Sequence, residues 1–200
     1  MFVRVNNITG AENIDAGVAF LRDKVFPEVA GQKGFRGLTA SANRQTGEFG
    51  ILGLWDTLAD LEASDSAVSK LRKEAMAALG GEISVVVMEQ VYADVAKPQD
   101  LVGRSLRVVR ISMDPALIDD HLAFFKSDVA PVLKTTPGFL ALRNMVNRST
   151  GEGSVGSVWE DEASMRASET TAEERRQRAA ERGVQISDPS FRTILLSRMV

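Results

Sequence analysis

The chain has 200 residues and a formal net charge of −3, and it contains no cysteine and a single histidine. The lack of cysteine excludes disulfides, thiolate nucleophiles and cysteine-based metal sites, and one histidine excludes a metal centre built from several histidines of one chain. The charges are interspersed rather than clustered, which argues against a nucleic-acid-binding face.

The chain also shows no membrane or export signal. Residues 2–8 are rich in β-branched side chains and lack the charged and apolar regions of a targeting peptide. No apolar run approaches the roughly 20 residues that a membrane-spanning helix needs. The sequence therefore predicts a cytoplasmic protein without a membrane span.

The first half of the chain predicts six elements in the order βαββαβ. In chain order, they are a strand at 2–8, a helix from Ile14 to about 27–31, strands at 34–43 and 48–55, a helix that begins at Asp56 or Thr57, and a strand at 83–88. The central strands are joined by Arg44-Gln45-Thr46-Gly47, which is typical of a tight hairpin. The second helix has a predicted break at Ser64-Asp65-Ser66 and ends at Gly80-Gly81. This order is the ferredoxin-like plan.

The second half repeats the first. Nine identities fall within a gap-free run of 22 residues when 34–55 is compared with 138–159, at an offset of 104 positions. A fixed offset of about half the chain indicates a duplicated unit rather than a short solenoid repeat. The strand at 83–92 matches 191–200 at an offset of 108, which predicts about four extra residues after the last helix of the second copy.

A polar segment separates the two copies. We predict a first ferredoxin-like repeat at 1–93, a linker at 94–103 and a second ferredoxin-like repeat at 104–200. The last strand of the first repeat is apolar at consecutive positions, so it needs cover on both faces. Two helices cover only one face of a four-stranded sheet, and an uncovered apolar face would be unusually large. We therefore predict that the repeats pack sheet to sheet.

This arrangement resembles the dimeric α/β-barrel superfamily, with the two halves of the barrel fused in one chain. Within it, the chain is similar to the antibiotic-biosynthesis-monooxygenase-like group. The resemblance covers nearly all of both halves and rests on Pro137-Gly138-Phe139, on Lys33-Gly34-Phe35, and on the strands that end in Trp55-Asp56 and Trp159-Glu160. The predicted fold class is α+β, with two tandem βαββαβ repeats forming an intramolecular dimeric α/β barrel.

The resemblance implies a small-molecule pocket between the sheet and its helices. Some members of the group oxidise aromatic or polycyclic molecules with oxygen and no bound flavin or metal, so we expect no cofactor and no metal. The heme-degrading members use an Asn, a Trp and a His. Asn6 matches the first, but Ser64 and Lys73 stand where the Trp and the His are expected, which disfavours heme degradation.

Asn6 is the preferred catalytic candidate. A strand-borne amide that faces the helices could hydrogen-bond a substrate oxyanion or a peroxide. Asn7 is adjacent on the strand and points to the opposite face. The alternative is that the Asn6 amide only satisfies a turn or a strand end.

Trp55 and Trp159 are candidate ligand-binding residues that could stack on a ring. Both stand beside the start of the second helix of their repeat, which equally indicates packing beneath that helix.

The second copy offers a different polar set. Counting 104 positions from Asn6 reaches Arg110, which strand alternation places among apolar residues, where an arginine needs a carboxylate from the protein or from a ligand. Arg143 and Asn144 are further ligand-binding candidates on a strand. His121 lies on the flank of an apolar helix stripe, as a boundary residue or as a general base.

The last helix, 162–182, is strongly polar, so it forms either a solvated face or a mobile lid. For the whole chain, two functions stay open. One is a monooxygenase-like protein that takes a small hydrophobic or aromatic molecule and oxidises it without a cofactor. The other is a non-catalytic barrel that binds a hydrophobic ligand or serves in assembly. Neither needs a nucleic-acid or membrane partner, and a homodimer of the fused pseudo-dimer is compatible with both.

Overall fold

The computed structural model describes residues 1–95 and 100–200, except for the side chain of Thr171. The chain divides into two compact units. Unit 1 consists of Met1–Met88, Asp100–Gly103 and Arg192–Val200, and unit 2 consists of the described part of Glu89–Gln99 together with Arg104–Phe191. The predicted repeat bounds and the linker at 94–103 stay a prediction, because residues 96–99 lie outside the described ranges.

The elements of unit 1 follow the predicted order. They are β1 (Phe2–Thr9), α1 (Ile14–Phe20), a π-helical turn (Leu21–Val25), α2 (Phe26–Ala30), β2 (Phe35–Asn43), β3 (Glu48–Trp55), α3 (Leu58–Ala63), α4 (Asp65–Leu79) and β4 (Glu82–Val95), whose second half belongs to unit 2. The Thr57 hydroxyl accepts a hydrogen bond from the Asp60 N–H and so begins α3. The predicted break separates α3 from α4 at Ser64, and Gly80 ends α4 at a φ of 75°.

Unit 2 repeats this order. Its elements are β5 (Ser105–Ser112), a 3-10 turn (Pro115–Leu117), α5 (Ile118–Phe124), a π-helical turn (Phe125–Val129), α6 (Ala130–Thr135), β6 (Phe139–Val146), β7 (Glu152–Trp159), α7 (Glu162–Ala167), a 3-10 turn (Ser168–Thr171), α8 (Ala172–Ala180), β8 (Gln185–Ile186) and β9 (Ser190–Met199). The predicted single last helix is therefore two helices joined by a 3-10 turn.

Both π-helical turns come just before a proline. The apolar periodicity of the sequence did not predict these turns. Pro27 and Pro131 lie in the first turn of α2 and α6. A proline inside a helix lacks an N–H group and its ring crowds the carbonyl four residues earlier. The wider π turn accommodates this defect and lets each first helix continue.

The Gly-Phe and Trp-acid signatures are joined by one backbone contact in each unit. The N–H group of Asp56 donates to the Gly34 carbonyl at 2.8 Å, and that of Glu160 donates to the Gly138 carbonyl at 2.8 Å. Both glycines have a positive φ, 73° and 79°, which other residues rarely adopt. The repeated motif is thus a backbone requirement of the fold.

The strands are hydrogen-bonded in the order β7-β6-β4-β1-β3-β2-β9-β5-β8, and β7 also pairs with β5. Eight strands therefore form a closed barrel, to which the short β8 is added at β5. This is the strand arrangement of a dimeric α/β barrel within one chain, and it confirms the predicted fold class. In the described ranges, no helix is both long and apolar enough to cross a membrane.

The strand register corrects two predicted offsets. Phe2 pairs with Trp55, and Ser105 pairs with Trp159, so the first strands are related by 103 positions rather than 104. The structural counterpart of Asn6 is therefore Val109, and the prediction that Arg110 takes its place is wrong.

The last strands also depart from their predicted offset. Tyr92 pairs with Asn144 and Leu196 pairs with Ala40, which gives an offset of 104, so the predicted offset of 108 is wrong in this paired region. In the second copy, Pro189 lies between β8 and β9. Proline cannot donate to a strand ladder, so it separates two strands where the first copy has one.

Each unit buries its own core between sheet and helices. In unit 1, the largest fully buried side chains include Leu21, Phe49, Trp55, Leu61 and Leu79, and in unit 2 they include Ile118, Leu142, Trp159 and Met165.

Candidate functional site

Unit 1 contains a cavity of about 70 Å³ between its sheet and its helices. Its walls are mostly apolar side chains from the first π turn, from α2, α4 and from strands β2 and β3. Polar groups reach it from β1, where Arg4 and Asn6 line the same space. The predicted orientation of Asn6 toward the helices is what the cavity lining shows.

The Asn6 amide is the unusual group in this cavity. Its Oδ1 atom is buried and has no hydrogen-bond partner among the residues that the structure describes. Asn6 pairs with Ile51 on β3, and Ile51 pairs with Ala40 on β2, so its cross-strand neighbours on this side of β1 are apolar. A buried amide oxygen without a partner costs about 1–3 kcal/mol. A ligand with a hydrogen-bond donor would remove that cost.

Arg4 ties the middle of β1 to the break between α3 and α4. Its guanidinium donates to the Ser64 Oγ at 3.0 Å and to the Leu61 carbonyl at 2.9 Å, and it pairs with Asp65 at 2.9 Å. Arg72, two turns of α4 further on, lies 3.6 Å from the same carboxylate. Burial lowers the pKa of Arg4, Asp65 acts against that shift, and Arg72 adds to it. We call these four side chains the arginine clamp of unit 1: Arg4, Ser64, Asp65 and Arg72.

Unit 2 has the same clamp. Arg107 donates to the Ser168 Oγ at 2.9 Å and pairs with Glu169, which lies 2.5 Å from Arg176. Burial is the main cause that lowers the pKa of Arg107. The serine, the acid and the helical arginine of the two clamps are 104 positions apart in the sequence, but the two first-strand arginines are 103 apart. A sequence comparison at the single offset of 104 therefore does not match Arg107 with Arg4. Allowing a one-residue shift between elements would have found it.

His121 and Asn144 meet in unit 2. The Asn144 Nδ2 and His121 Nε2 atoms are 3.3 Å apart, and the two side chains are 0% and 6% exposed. His121 Nδ1 and Asn144 Oδ1 are buried without a partner in the described part of the chain. Burial lowers the pKa of His121 below its ordinary value of 6.5. The default prediction of a boundary histidine is therefore wrong, because the ring faces the sheet.

The two units place these polar groups in one cross-strand row. In unit 2, Val109 pairs with Val155, and Val155 pairs with Asn144. Asn144 thus corresponds to Ala40 of unit 1. Each unit therefore has one amide in this row, on the first strand in unit 1 (Asn6 of β1) and on the second strand in unit 2 (Asn144 of β6). His121 corresponds to Gly17, where a Cβ atom would collide with the Leu79 side chain. Unit 1 fills this volume with leucine, and unit 2 fills it with imidazole.

The two tryptophans are buried but differ in their surroundings. Trp55 lines the cavity of unit 1 and meets Phe35 edge to face, with ring centroids 5.0 Å apart. Trp159 is 0% exposed, and its Nε1 donates to the Ser157 Oγ at 3.0 Å, while the Arg107 guanidinium lies 5.4 Å from its ring centre. Only the Trp55 ring is therefore among the residues that border this cavity.

Arg110 and Arg143 do not join the His121 pair. Arg110 is exposed, which contradicts the prediction that it lies among apolar residues. Arg143 precedes Asn144 on β6 and so points to the opposite face of the sheet. Burial lowers the pKa of Arg143, and its Nη1 atom has no partner within the described residues. In those same ranges, no group of three or more acidic or histidine side chains is placed to hold a metal ion.

The polar last helix is anchored through polar contacts. Glu169 joins it to Arg107, and Arg178 of α8 donates to Asp128 at 2.6 Å. Its buried apolar residues are Met165 of α7 and Ala172 and Ala179 of α8.

Sequence comparison finds relatives in Mycobacterium tuberculosis. The uncharacterized protein Rv2557 is 27% identical over 141 residues, which cover 70% of this chain and 62% of the relative. The uncharacterized protein Rv2558 is 25% identical over 178 residues, which cover 88% of this chain and 75% of the relative. The chain thus spans less than two thirds of the length of the first relative. No family model matches the chain.

Solved structures extend the likeness to the whole chain. A Fusobacterium nucleatum protein provisionally described as a monooxygenase has a TM-score of 0.72 at 12% identity, with 99% of this chain and 94% of that chain covered. An anthrone oxidase-like protein has a TM-score of 0.72 at 14% identity, with 99% and 92% covered. A ferredoxin-fold protein of Listeria monocytogenes related to antibiotic biosynthesis monooxygenases has a TM-score of 0.57 at 10% identity, with 98% and 95% covered.

These likenesses define the fold of the protein. At such identities they establish the fold alone, and the fold is the dimeric α/β barrel of the monooxygenase-like proteins, in its tandem form. The resemblance predicted from the Gly-Phe and Trp-acid motifs is thereby confirmed at the level of the fold. The reaction and the substrate are a separate question, because one fold carries many functions.

Proposed function

We propose that the chain is a monooxygenase-like protein whose working pocket is the cavity of unit 1, where an aromatic substrate is oxidised by molecular oxygen without a cofactor. The observation that carries the proposal is the Asn6 amide, which is buried with an unpartnered oxygen in a mostly apolar cavity. Apolar pockets with a few convergent polar groups are typical of small-molecule sites.

The chemistry needs only the substrate and oxygen. In a substrate of the anthrone type, a methylene group between two rings reacts with O2 to give a ketone and water. Both hydrogens leave the carbon, one oxygen atom enters the product, and the other leaves as water. The ionised form of the substrate donates the electrons. The Asn6 Nδ2 group would donate a hydrogen bond to the substrate oxygen or the developing peroxide, and its unpartnered Oδ1 would accept one from a hydroxyl group of the substrate. The anthrone oxidase-like neighbour supports this choice of substrate class.

The size of the cavity limits this proposal. A volume of about 70 Å³ is smaller than the roughly 150 Å³ of a cavity that accommodates benzene. The substrate therefore enters only if the helical wall moves outward. Leu71 and Met76 of α4 line the cavity and are half-buried, so their side chains have room to turn toward solvent.

The second candidate is a barrel that binds a small hydrophobic molecule without reaction. Two observations favour it: the cavity is small, and Arg4 is already engaged by Ser64, Leu61 and Asp65. Under either function, the partner is a small hydrophobic or aromatic molecule. A cytoplasmic location and a homodimer of the chain belong to this proposal as well.

The residues present do not fit heme. Ser64 stands at the expected Trp position and is bound to Arg4, and Lys73 stands at the expected His position and is exposed. The cavity is also far smaller than a porphyrin, so we derive no step through this group.

Oxygen uptake tests the catalytic proposal. The wild-type protein is mixed with anthrone-type and quinol-type substrates in air-saturated buffer, and the rate is compared with that of Asn6→Ala. We expect Asn6→Ala to lose about 100-fold in rate, as when one oxyanion donor is removed. Asn7→Ala is the matched control, because Asn7 is next to Asn6 and points to the other face of the strand.

Three outcomes separate the candidates. A rate lost only in Asn6→Ala supports catalysis in unit 1. Equal rates in all three proteins remove Asn6 from the mechanism. Binding of the substrate without oxygen uptake, measured by calorimetry, selects the non-catalytic barrel.

A further inference from the structure

Two guanidinium groups border the cavity of unit 1. Both Arg4 and Arg72 line it, and they share one carboxylate, Asp65, at 2.9 and 3.6 Å. Asp65 is 63% exposed, so it approaches the two cations from the solvent side. Two cations with one exposed carboxylate leave an excess of positive charge at the border of the cavity.

In the clamp of unit 2, a carboxylate lies between the two guanidinium groups. Glu169 replaces Asp65 there and has one more methylene group. It contacts Arg107 and lies 2.5 Å from Arg176, and its side chain is only 24% exposed. The longer acid reaches between the two guanidiniums and brings its own charge into the protein. The shorter Asp65 contacts the two guanidiniums at 2.9 and 3.6 Å and stays 63% exposed, so it is the acid that another carboxylate displaces more easily.

We propose that the cavity of unit 1 takes an apolar molecule that carries one anionic oxygen group, a carboxylate or a phenolate, and that this group binds between Arg4 and Arg72. The inference rests on the proposed function, since it requires the cavity to bind a small molecule. Guanidinium groups recognise such oxygens by charge-assisted and often bidentate hydrogen bonds. Arg72 is then the residue that determines specificity for an anion, and Asp65 is the group that the ligand displaces.

Calorimetric titration with benzoate and with benzyl alcohol tests this proposal. The two probes have similar size, and only benzoate is charged. We expect the wild-type protein to bind benzoate at least about tenfold more tightly than benzyl alcohol, because charge-assisted hydrogen bonds are the stronger ones. Arg72→Gln should lose that preference, and Asp65→Asn should bind benzoate more tightly than the wild type.

Arg176→Gln is the matched control in unit 2. It removes the equivalent arginine of the other clamp, so benzoate binding should stay as in the wild type. Arg72→Lys keeps the charge but not the fork of donors, and it should lie between wild type and Arg72→Gln. Circular dichroism checks that each variant is folded. Arg72 is partly exposed, which favours a folded variant.

The outcomes are distinguishable. Equal binding of both probes would overturn the anionic class and leave the pocket itself in place. Absence of binding for both probes would overturn the pocket of unit 1 and with it the proposed function. An equal loss in Arg72→Gln and Arg176→Gln would overturn the assignment to unit 1.

Discussion

The two units keep the same clamp but differ in the polar groups beside it. In each, an arginine on the first strand reaches a serine and an acid at the break of the second helix. Beside that clamp, unit 1 has a cavity with the Asn6 amide, whereas unit 2 has the buried pair of His121 and Asn144.

This difference distinguishes residues that maintain the fold, which both units share, from residues that could contact a ligand, which differ between them. The clamp holds a helix break against a strand, and both units keep that contact. The residues of the polar row touch the space between sheet and helices, and they changed type and strand between the copies. We infer that the row determines which polar groups a ligand meets beside the clamp, and that the clamp itself takes part in binding only in unit 1, where its acid is the exposed Asp65.

The largest expected effect comes from breaking the clamps. Arg107→Met should lower the free energy of unfolding by about 3 kcal/mol, because it leaves a partly buried Glu169 and a buried serine short of a partner. Arg4→Met should cost less, about 2 kcal/mol, since Asp65 is mostly solvated. Chemical denaturation of the two variants measures both values. Losses below about 0.5 kcal/mol in both would show that the clamps hold little of the fold.

A smaller effect follows from the histidine in unit 2. Burial lowers the pKa of folded His121 below 6.5, so the unfolded chain takes up this proton at a higher pH than the folded one. The stability that depends on neutral His121 is therefore complete above pH 6.5. It is lost as the pH falls through the window below, by at most about 1.4 kcal/mol per pH unit. Denaturation midpoints between pH 7.5 and 5, in urea, measure the slope.

His121→Gln is the control for that slope. Glutamine keeps a polar side chain near Asn144 but does not titrate, so the pH dependence of its stability should be shallower than in the wild type. If both proteins lost stability in parallel, the carboxylates and not His121 would be responsible.

The smallest effect concerns the tryptophans. Trp159→Phe leaves Trp55 as the single tryptophan, and Trp55→Phe leaves Trp159. Only Trp55 borders the cavity, so its fluorescence should shift by a few nanometres or change in intensity when benzoate is added. The emission of Trp159 should stay unchanged. A response from Trp159 alone would place the ligand in unit 2 and reverse the comparison.

Much of the fold could be predicted because its signals are local. The hairpin at Gly47, the helix break at Ser64 and the helix end at Gly80 all depend on residues next to them in the chain. The Gly-Phe and Trp-acid motifs recur because a positive φ and one backbone hydrogen bond require them. Strand alternation also required that only one of Asn6 and Asn7 face the helices, and the cavity lining shows that it is Asn6.

The clamp and the histidine could not be predicted in the same way. Arg110 was chosen over Arg107 because a single offset was applied to strands that differ by one position, and in a strand one position reverses the face. His121 looked like a boundary residue because its partner Asn144 is 23 positions away and is brought to it only by folding.

The sequence by itself determined the duplication, the order of the elements and the family of folds, because those depend on periodicity, turn residues and a repeated motif. The tertiary structure alone decided which arginines are buried, which amide faces a cavity and where the histidine lies. Those outcomes depend on strand register and on contacts between distant segments, which local patterns do not encode.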